Sequence, residues 1–280
     1  MVKRFCIHGV LILLCMLIWL PLVVMAGNAL MSKSELMQRF AALFGVGYQP
    51  VKATLMPTYP TLRPFVELLL DSPGFYVTYW NSCLQTGAIL AGQLLTALPA
   101  AWAFASFSFK GKRSLFLLYI ILMMQPFQVT MVPSYLVMKR LGILNTHLAV
   151  IMPGIFAAFP VFIMTKFFES IPKPLLEAAR LDGAGDFAIF LRIGIPIGLP
   201  GIISAMVLGF LEYWNAVEQP MTFLKERRLW PLSLYLPDIT ADKAGVAWAA
   251  SIIMMILPVI LFVMGQEQLE QGIAASGIKE

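Results

Sequence analysis

The chain has 280 residues, 59% of them hydrophobic and 12% charged, with a formal net charge of +5. Its mean hydropathy of +0.81 excludes an ordinary soluble globular domain and points to an integral membrane protein. The small positive balance, with no Lys/Arg cluster and no interleaved aromatics, excludes a nucleic-acid binder and fits loop charges at lipid headgroups.

The first apolar run, Val10 to about Leu30, is uncharged and long enough to cross a bilayer at about 1.5 Å per residue. Lys3 and Arg4 place its start in the cytoplasm. Val24-Met25-Ala26 resembles a small-residue cleavage site, but the run exceeds a signal-peptide core, so a retained helix is expected. Trp19 falls mid-span, outside any aromatic belt, and is expected to pack between helices. Residues 32–75 mix charges with Pro50, Pro57, Pro60, Pro64 and Pro73. They read as an external segment covering the outer mouth, with short helices near Leu36–Phe44 and Arg63–Leu70.

A second span is expected from about Val77 to Phe104. Along it Asn81, Ser82, Gln85, Thr86, Gln93 and Thr96 recur at three- and four-residue steps and share one face. In lipid that face must meet protein or water, so it is either a wall of a translocation path or a set of interhelical hydrogen bonds. Lys110, Lys112 and Arg113 then fill a short cytoplasmic loop. The third span, Ser114 to about Met138, carries Gln125, Pro126, Gln128 and Pro133 and should kink. After Lys139-Arg140 in an external turn, the fourth span, about His147 to Phe168, should bend at Pro153, Gly154 and Pro160.

Glu177 to Pro200 is a polar interruption between apolar spans, with Glu177, Arg180, Asp182 and Asp186 close together. Pro172 and Pro174 suit a helix entry, and Leu175–Leu181 is a short amphipathic helix. Gly183 and Gly185 are expected to supply positive-φ turns. Asp186 should cap a second short helix, Phe187–Ile193, before Pro196 and Pro200 open the fifth span. The pattern predicts a helix–turn–helix elbow on the membrane surface. The fifth span, about Ile193 to Leu211, closes at Glu212 to Asn215; an outer loop over 216–246 leads to a sixth, about Ala247 to Gly265, and a polar tail. The expected fold class is an all-α integral membrane protein with six transmembrane helices. Its expected divisions are an N-terminal helix with external segment at 1–75, a five-helix core at 76–268 containing the elbow at 172–193, and a tail at 269–280.

The sequence offers no chemistry of its own. Gly111-Lys112 lacks the upstream glycine and following hydroxyl of a phosphate loop, and no Ser-His-Asp group or paired carboxylate site is present. Cys6, Cys15 and Cys83 form neither a disulfide framework nor a metal-ligand spacing, and His8 and His147 lack ligand neighbours. The expectation is a non-enzyme with no catalytic residue, metal or bound cofactor.

A longer pattern now becomes informative. IPKPLLEAARLDGA at 171–184 combines with Asn81-Ser82, AWAFASFSFKGK at 101–112, QPFQVTMVPSY at 125–135, LGILNT at 141–146 and Trp214-Asn215. Together, over about residues 60–280, they resemble the membrane permeases of ABC importers, most of all the carbohydrate-uptake, maltose-importer type. The resemblance implies a type I importer permease fold in a bacterial inner membrane, with both termini cytoplasmic. It implies that Glu177, Ala178, Ala179, Asp182, Gly183 and Ala184 couple the bundle to a cytoplasmic ATPase, with Leu175, Leu176 and Ala179 burying into the partner's groove. It implies a homologous second permease, two ATPase copies carrying ATP and Mg, and an extracytoplasmic solute-binding protein. Asn81, Gln85, Gln93, Gln125, Gln128 and Asn215 are the candidate translocation-path residues. The implied cargo is a sugar, oligosaccharide or polyol. WNAVEQPMTFL at 214–224, LWPLSLYLPDI at 229–239 and the end EQGIAASGIKE depart from the family pattern and leave a non-sugar solute as the alternative. An ion-coupled secondary transporter would need an intramembrane ionisable relay, and a membrane-embedded enzyme a catalytic group; the spans supply neither.

Overall fold

The structure, a computed structural model, describes residues 2–40, 56–235 and 243–277. Among them the regular elements are helical: α1 (Val2–Ala29), α2 (Lys33–Phe40), α3 (Arg63–Asp71), α4 (Pro73–Ser106), α5 (Lys112–Met123), α6 (Phe127–Arg140), α7 (His147–Ile155), α8 (Ala158–Glu169), α9 (Lys173–Leu181), α10 (Asp186–Ile189), α11 (Ile195–Trp214), α12 (Glu218–Phe223) and α13 (Ala244–Gly277). Five helical stretches are long and apolar enough to cross a membrane: Ile7–Ala29, Pro73–Ser106, His147–Glu169, Asp186–Trp214 and Ala244–Glu270. The count reaches 6 if α5 and α6 form one span.

That pair corrects the expected third span. α5 and α6 meet at 103°, far beyond a kink. Pro126 sits in the break in extended geometry, φ −67° and ψ 149°. A proline lacks the N–H that a helix needs and drives the residue before it, here Gln125, out of helical conformation. The fourth span, His147–Glu169, is interrupted near the expected Pro153 and Gly154, α7 ending at Ile155 and α8 starting at Ala158.

Further expectations are revised. α10 does not stand alone: it runs through a π-helical turn, Phe190–Gly194, straight into α11. Pro196 comes two residues after the π-helical turn and the helix continues through it, so the proline marks no boundary of the span. α13 stays helical to Gly277, so the segment from Gln266 continues the last helix instead of leaving it as a tail. Trp19 is 63% exposed and does not pack between helices among the described residues. Of the expected helix at Leu36–Phe44, α2 covers the part up to Phe40, and 41–44 lie outside the described residues.

The chain divides into two compact units. The first comprises residues 1–76 and 235–257. In it Leu36 of α2, Leu68 of α3 and Ala249 of α13 are buried. A Cβ on Gly245 would come 3.1 Å from Pro64 and 3.2 Å from Leu36, so the start of α13 fits against α2 and α3 because it carries no side chain. Arg39, itself buried, donates to Asn28 Oδ1 at 2.8 Å.

The second unit comprises residues 77–234 and 258–280. Its main core joins Ala97, Ala101, Trp102 and Phe104 of α4, Val161, Met164 and Phe168 of α8, and Ile202 and Ala205 of α11. With lipid outside, apolarity alone does not hold such helices together; close packing does. α8 and α11 meet through glycine: a Cβ on Gly198 would lie 2.3 Å from Phe168 Cε1, and one on Gly201 2.2 Å from Phe167 Cγ. A smaller cluster of Met138, Ala149 and Phe223 lies apart from it.

Candidate functional site

The elbow is built by local backbone chemistry. Pro172, φ −59° and ψ 123°, precedes α9, and Pro174 lies in its first turn. At the other end Gly183 adopts φ +82°. Its N–H donates to the Arg180 carbonyl at 3.0 Å, and the Ala184 N–H reaches back to the Ala179 carbonyl at 3.0 Å. This paired closure satisfies the last carbonyls of the helix and favours a residue without a Cβ at position 183. Gly185 departs from expectation: its φ is −71°, ordinary extended backbone. Asp186 makes no capping bond and instead accepts from Arg180, whose Nη2 lies 3.2 Å from Oδ1.

Of the three apolar residues expected to dock, Leu175 is exposed, whereas Leu176 and Ala179 are partly buried. Leu176, Ala179 and Ala184 pack against the protein's own core, alongside buried Ile189. Ala179 therefore anchors the elbow to its bundle, and Leu176 is spent the same way. Glu177, Ala178, Asp182 and Gly183 are exposed. The outward apolar side chains are Leu181, 89% exposed, Phe187, 73% exposed, and Leu175, 43% exposed. Sequence reasoning passed over Leu181 and Phe187. The signal available was their position, a large apolar residue on either side of Asp182–Asp186 in a surface turn.

At the opposite end of the same unit the polar face of α4 is occupied. Asn81 Nδ2 donates to the Arg228 and Trp230 carbonyls at 2.8 and 2.9 Å. Gln85 Nε2 reaches the Leu229 carbonyl and His147 Nδ1, each at 3.0 Å, and Ser82 Oγ accepts from the Leu232 N–H at 2.7 Å. Gln93, fully buried, donates to the Gly154 carbonyl at 2.8 Å, beside the α7–α8 break, and to the Tyr213 hydroxyl. These side chains stitch the 228–232 loop and the interrupted fourth span onto α4. The other three candidates lie elsewhere. Gln125 is exposed at the α5–α6 break, Gln128 donates to both carboxylate oxygens of Glu218 on α12, and the Asn215 amide donates to the Leu211 carbonyl.

Asn145, within the LGILNT segment, is the strongest staple of this loop. It holds φ +59°, a conformation asparagine tolerates better than most residues. Its Oδ1 accepts from the Lys225 and Glu226 N–H groups at 2.9 and 3.0 Å, and its Nδ2 donates to Glu226 Oε1 at 2.7 Å. That hydrogen bond, followed by the Arg228 contact, holds the Glu226 carboxyl below the usual carboxylate range. A depressed folded-state pKa means that the stabilisation is complete above the ordinary carboxylate value and is lost as pH falls through the depressed one. Asn145→Ala is expected to cost about 1–3 kcal/mol locally and to expose 224–230 to trypsin at Lys225, Arg227 and Arg228. Hydrogen exchange over this loop, corrected for intrinsic rates, should lose protection on acidification at a higher pH in the variant than in the wild type. Equal tryptic cleavage of the two proteins would remove the staple from the account.

A family model described as binding-protein-dependent transport system inner membrane component matches residues 94–274. A probable ABC transporter permease protein from Pyrococcus horikoshii is 32% identical over 236 residues, covering 78% of this chain and 84% of the relative. The arabinooligosaccharides transport system permease protein of Halalkalibacterium halodurans is 29% identical over 226 residues, with 80% and 81% covered. Among solved structures, a chain of a bacterial ABC transporter involved in import of the acidic polysaccharide alginate superposes with a TM-score of 0.77. That match spans 95% of this chain and 96% of the other at 21% identity, and shows a shared fold. The chain belongs to the binding-protein-dependent ABC importer permeases, as a multi-pass, non-catalytic subunit of the inner membrane.

Proposed function

We propose that this permease carries an oligosaccharide and converts closure of a cytoplasmic ATPase pair into alternating access through its elbow. The observation that carries the coupling role is the division of labour on α9 and α10. Leu176, Ala179 and Ile189 bind the elbow to the core, while Leu175, Leu181 and Phe187 are left exposed by the described residues. Exposed apolar side chains on a rigidly anchored turn are the anatomy of a docking surface. Glu177, Ala178, Asp182 and Gly183 form the polar surround of that contact, and Ala179 and Ala184 hold its geometry. ATP and Mg belong to the ATPase, and this chain binds neither.

In this reading both termini and the elbow are cytoplasmic. A homologous permease completes the pathway, and an extracytoplasmic binding protein delivers cargo. The path runs past Gln125, Gln128 and Asn215. Asn81, Gln85 and Gln93 join it when their bonds to the 228–230 carbonyls and to Gly154 open, a change the ATPase must drive by differential binding to the two states. The oligosaccharide assignment is supported by the arabinooligosaccharide permease relative. The test is uptake into proteoliposomes holding the purified complex, its binding protein and labelled pentose or hexose oligosaccharides. Uptake that requires internal ATP and survives collapse of the proton gradient is expected. Uptake that ignores ATP but stops with a protonophore, or that accepts only polyols or other non-sugar solutes, contradicts it.

A further inference from the structure

At the elbow end of the second unit, α4 finishes at Ser106, α5 begins at Lys112 and α8 ends at Glu169. A cavity of about 540 Å³ opens between these ends. Its apolar wall is Phe104, Phe109 and Phe116, a cluster with ring centroids 5.9 and 5.4 Å from Phe104. Its polar lining is Lys112, Arg113, Ser114 and Glu169. The charges do not cancel. Glu169 is already paired with Lys166 at 2.9 Å, and the Lys166 ammonium also stands 5.3 Å from the Phe116 ring centre. Lys112 spends one donor on the Phe107 carbonyl at 3.0 Å. Arg113 has no ion pair or side-chain hydrogen bond among the described residues. An open, cationic, aromatic-walled cavity at the ends of two candidate membrane spans has the chemistry to meet lipid phosphates.

We propose that this cavity binds the headgroup of an anionic phospholipid. The planar Arg113 fork and the Lys112 ammonium take the phosphodiester oxygens, and the Ser114 hydroxyl donates a further bond. The phenylalanine wall receives the glycerol and the start of the acyl chains. Glu169, neutralised by Lys166, accepts from a headgroup hydroxyl, which selects a hydroxylated anionic head of the phosphatidylglycerol type over a zwitterionic choline head. The volume falls within the range of small-molecule sites, roughly 300–1,000 Å³. A lipid held here bridges the ends of α4, α5 and α8, three residues before Pro172 opens the elbow.

The test uses the full chain purified in its transporter complex. Phosphatidylglycerol, added to detergent-solubilised wild type, is expected to raise the thermal midpoint and to be retained in native mass spectra, whereas phosphatidylcholine is not. Lys112→Ala/Arg113→Ala should lower retention on the order of fivefold for each charge removed. Lys139→Ala/Arg140→Ala, an equal charge change at the far end of α6, should leave it unchanged. Wild type that treats the two lipids alike overturns the site, whether or not the variants fold. Equal losses in both double variants reduce it to non-specific attraction and also overturn it. Inorganic phosphate that displaces the lipid or matches its stabilisation would make the cavity a small-anion site and overturn the lipid assignment.

Discussion

Leu181→Asp and Phe187→Asp, singly or together, are expected to abolish ATP-driven uptake while the chain still folds and inserts. Both side chains are exposed, at 89% and 73%, so the substitutions give up almost no internal burial. Surface changes of this kind usually alter stability by no more than about 0.5 kcal/mol. At an interface the same residues act as apolar anchors, and losing such an anchor costs about 2–4 kcal/mol, which is roughly a 30- to 1,000-fold weaker hold. ATPase co-purification, fluorescence-detected gel filtration and uptake measured on one preparation separate the two quantities. Ala179→Leu is a useful contrast. Ala179 packs on the bundle core, so enlarging it should unseat the elbow and lower stability as well as transport. Gly183→Leu falls between them, because no atom lies within 4 Å of its Cβ position and its cost comes only from holding φ +82°.

The largest structural effect is expected at Gly201. A methyl group there would sit 2.2 Å from Phe167 Cγ and 2.5 Å from Phe167 Cβ. The base of a side chain cannot swing aside as its tip can, so α8 and α11 must separate. Gly201→Ala should cost about 3 kcal/mol and sharply reduce the yield of monodisperse protein. Gly209→Ala on the same helix meets its nearest atom, the Leu90 Cδ2 tip, at 3.2 Å and Gln93 Oε1 at 3.4 Å, and should fold normally. Comparable thermal midpoints for the two variants would show that helix packing here is far softer than the distances imply.

Much of this architecture is written in composition, because in lipid an uninterrupted apolar run is itself the signal for a span. α1, α4, α11 and α13 were readable on that basis, as were the helix entry at Pro172 and the turn at Gly183. Proline, by contrast, signals disruption without its size. Pro126 reads as a kink, yet its extended backbone leaves α5 and α6 at 103°. Pro196 reads as a boundary, yet the helix passes through it just after the π-helical turn at Phe190–Gly194. The face of α9 was legible as amphipathic, but periodicity cannot say whether the apolar stripe meets the chain's own core or a partner. The structure gives Leu176 and Ala179 to the core and leaves Leu181 and Phe187 outside. The polar face of α4 had two readings, and its amides prove to be bonded to carbonyls of the 228–230 loop and of Gly154, more than 50 residues away in sequence. Asn145 appeared only as a letter in a motif; its staple exists because the 223–226 backbone comes back to meet it.

The most direct measurement is photocrosslinking from position 187 in the assembled transporter. With Phe187 replaced by a benzophenone amino acid, the complex is isolated through a tag on this chain and illuminated with and without a trapped ATP state. The account predicts a covalent adduct with an ATPase subunit, retained transport in the dark, and a yield that changes with nucleotide. Active transport and co-purified ATPase without any adduct from positions 181 and 187 would contradict the elbow as the site of coupling.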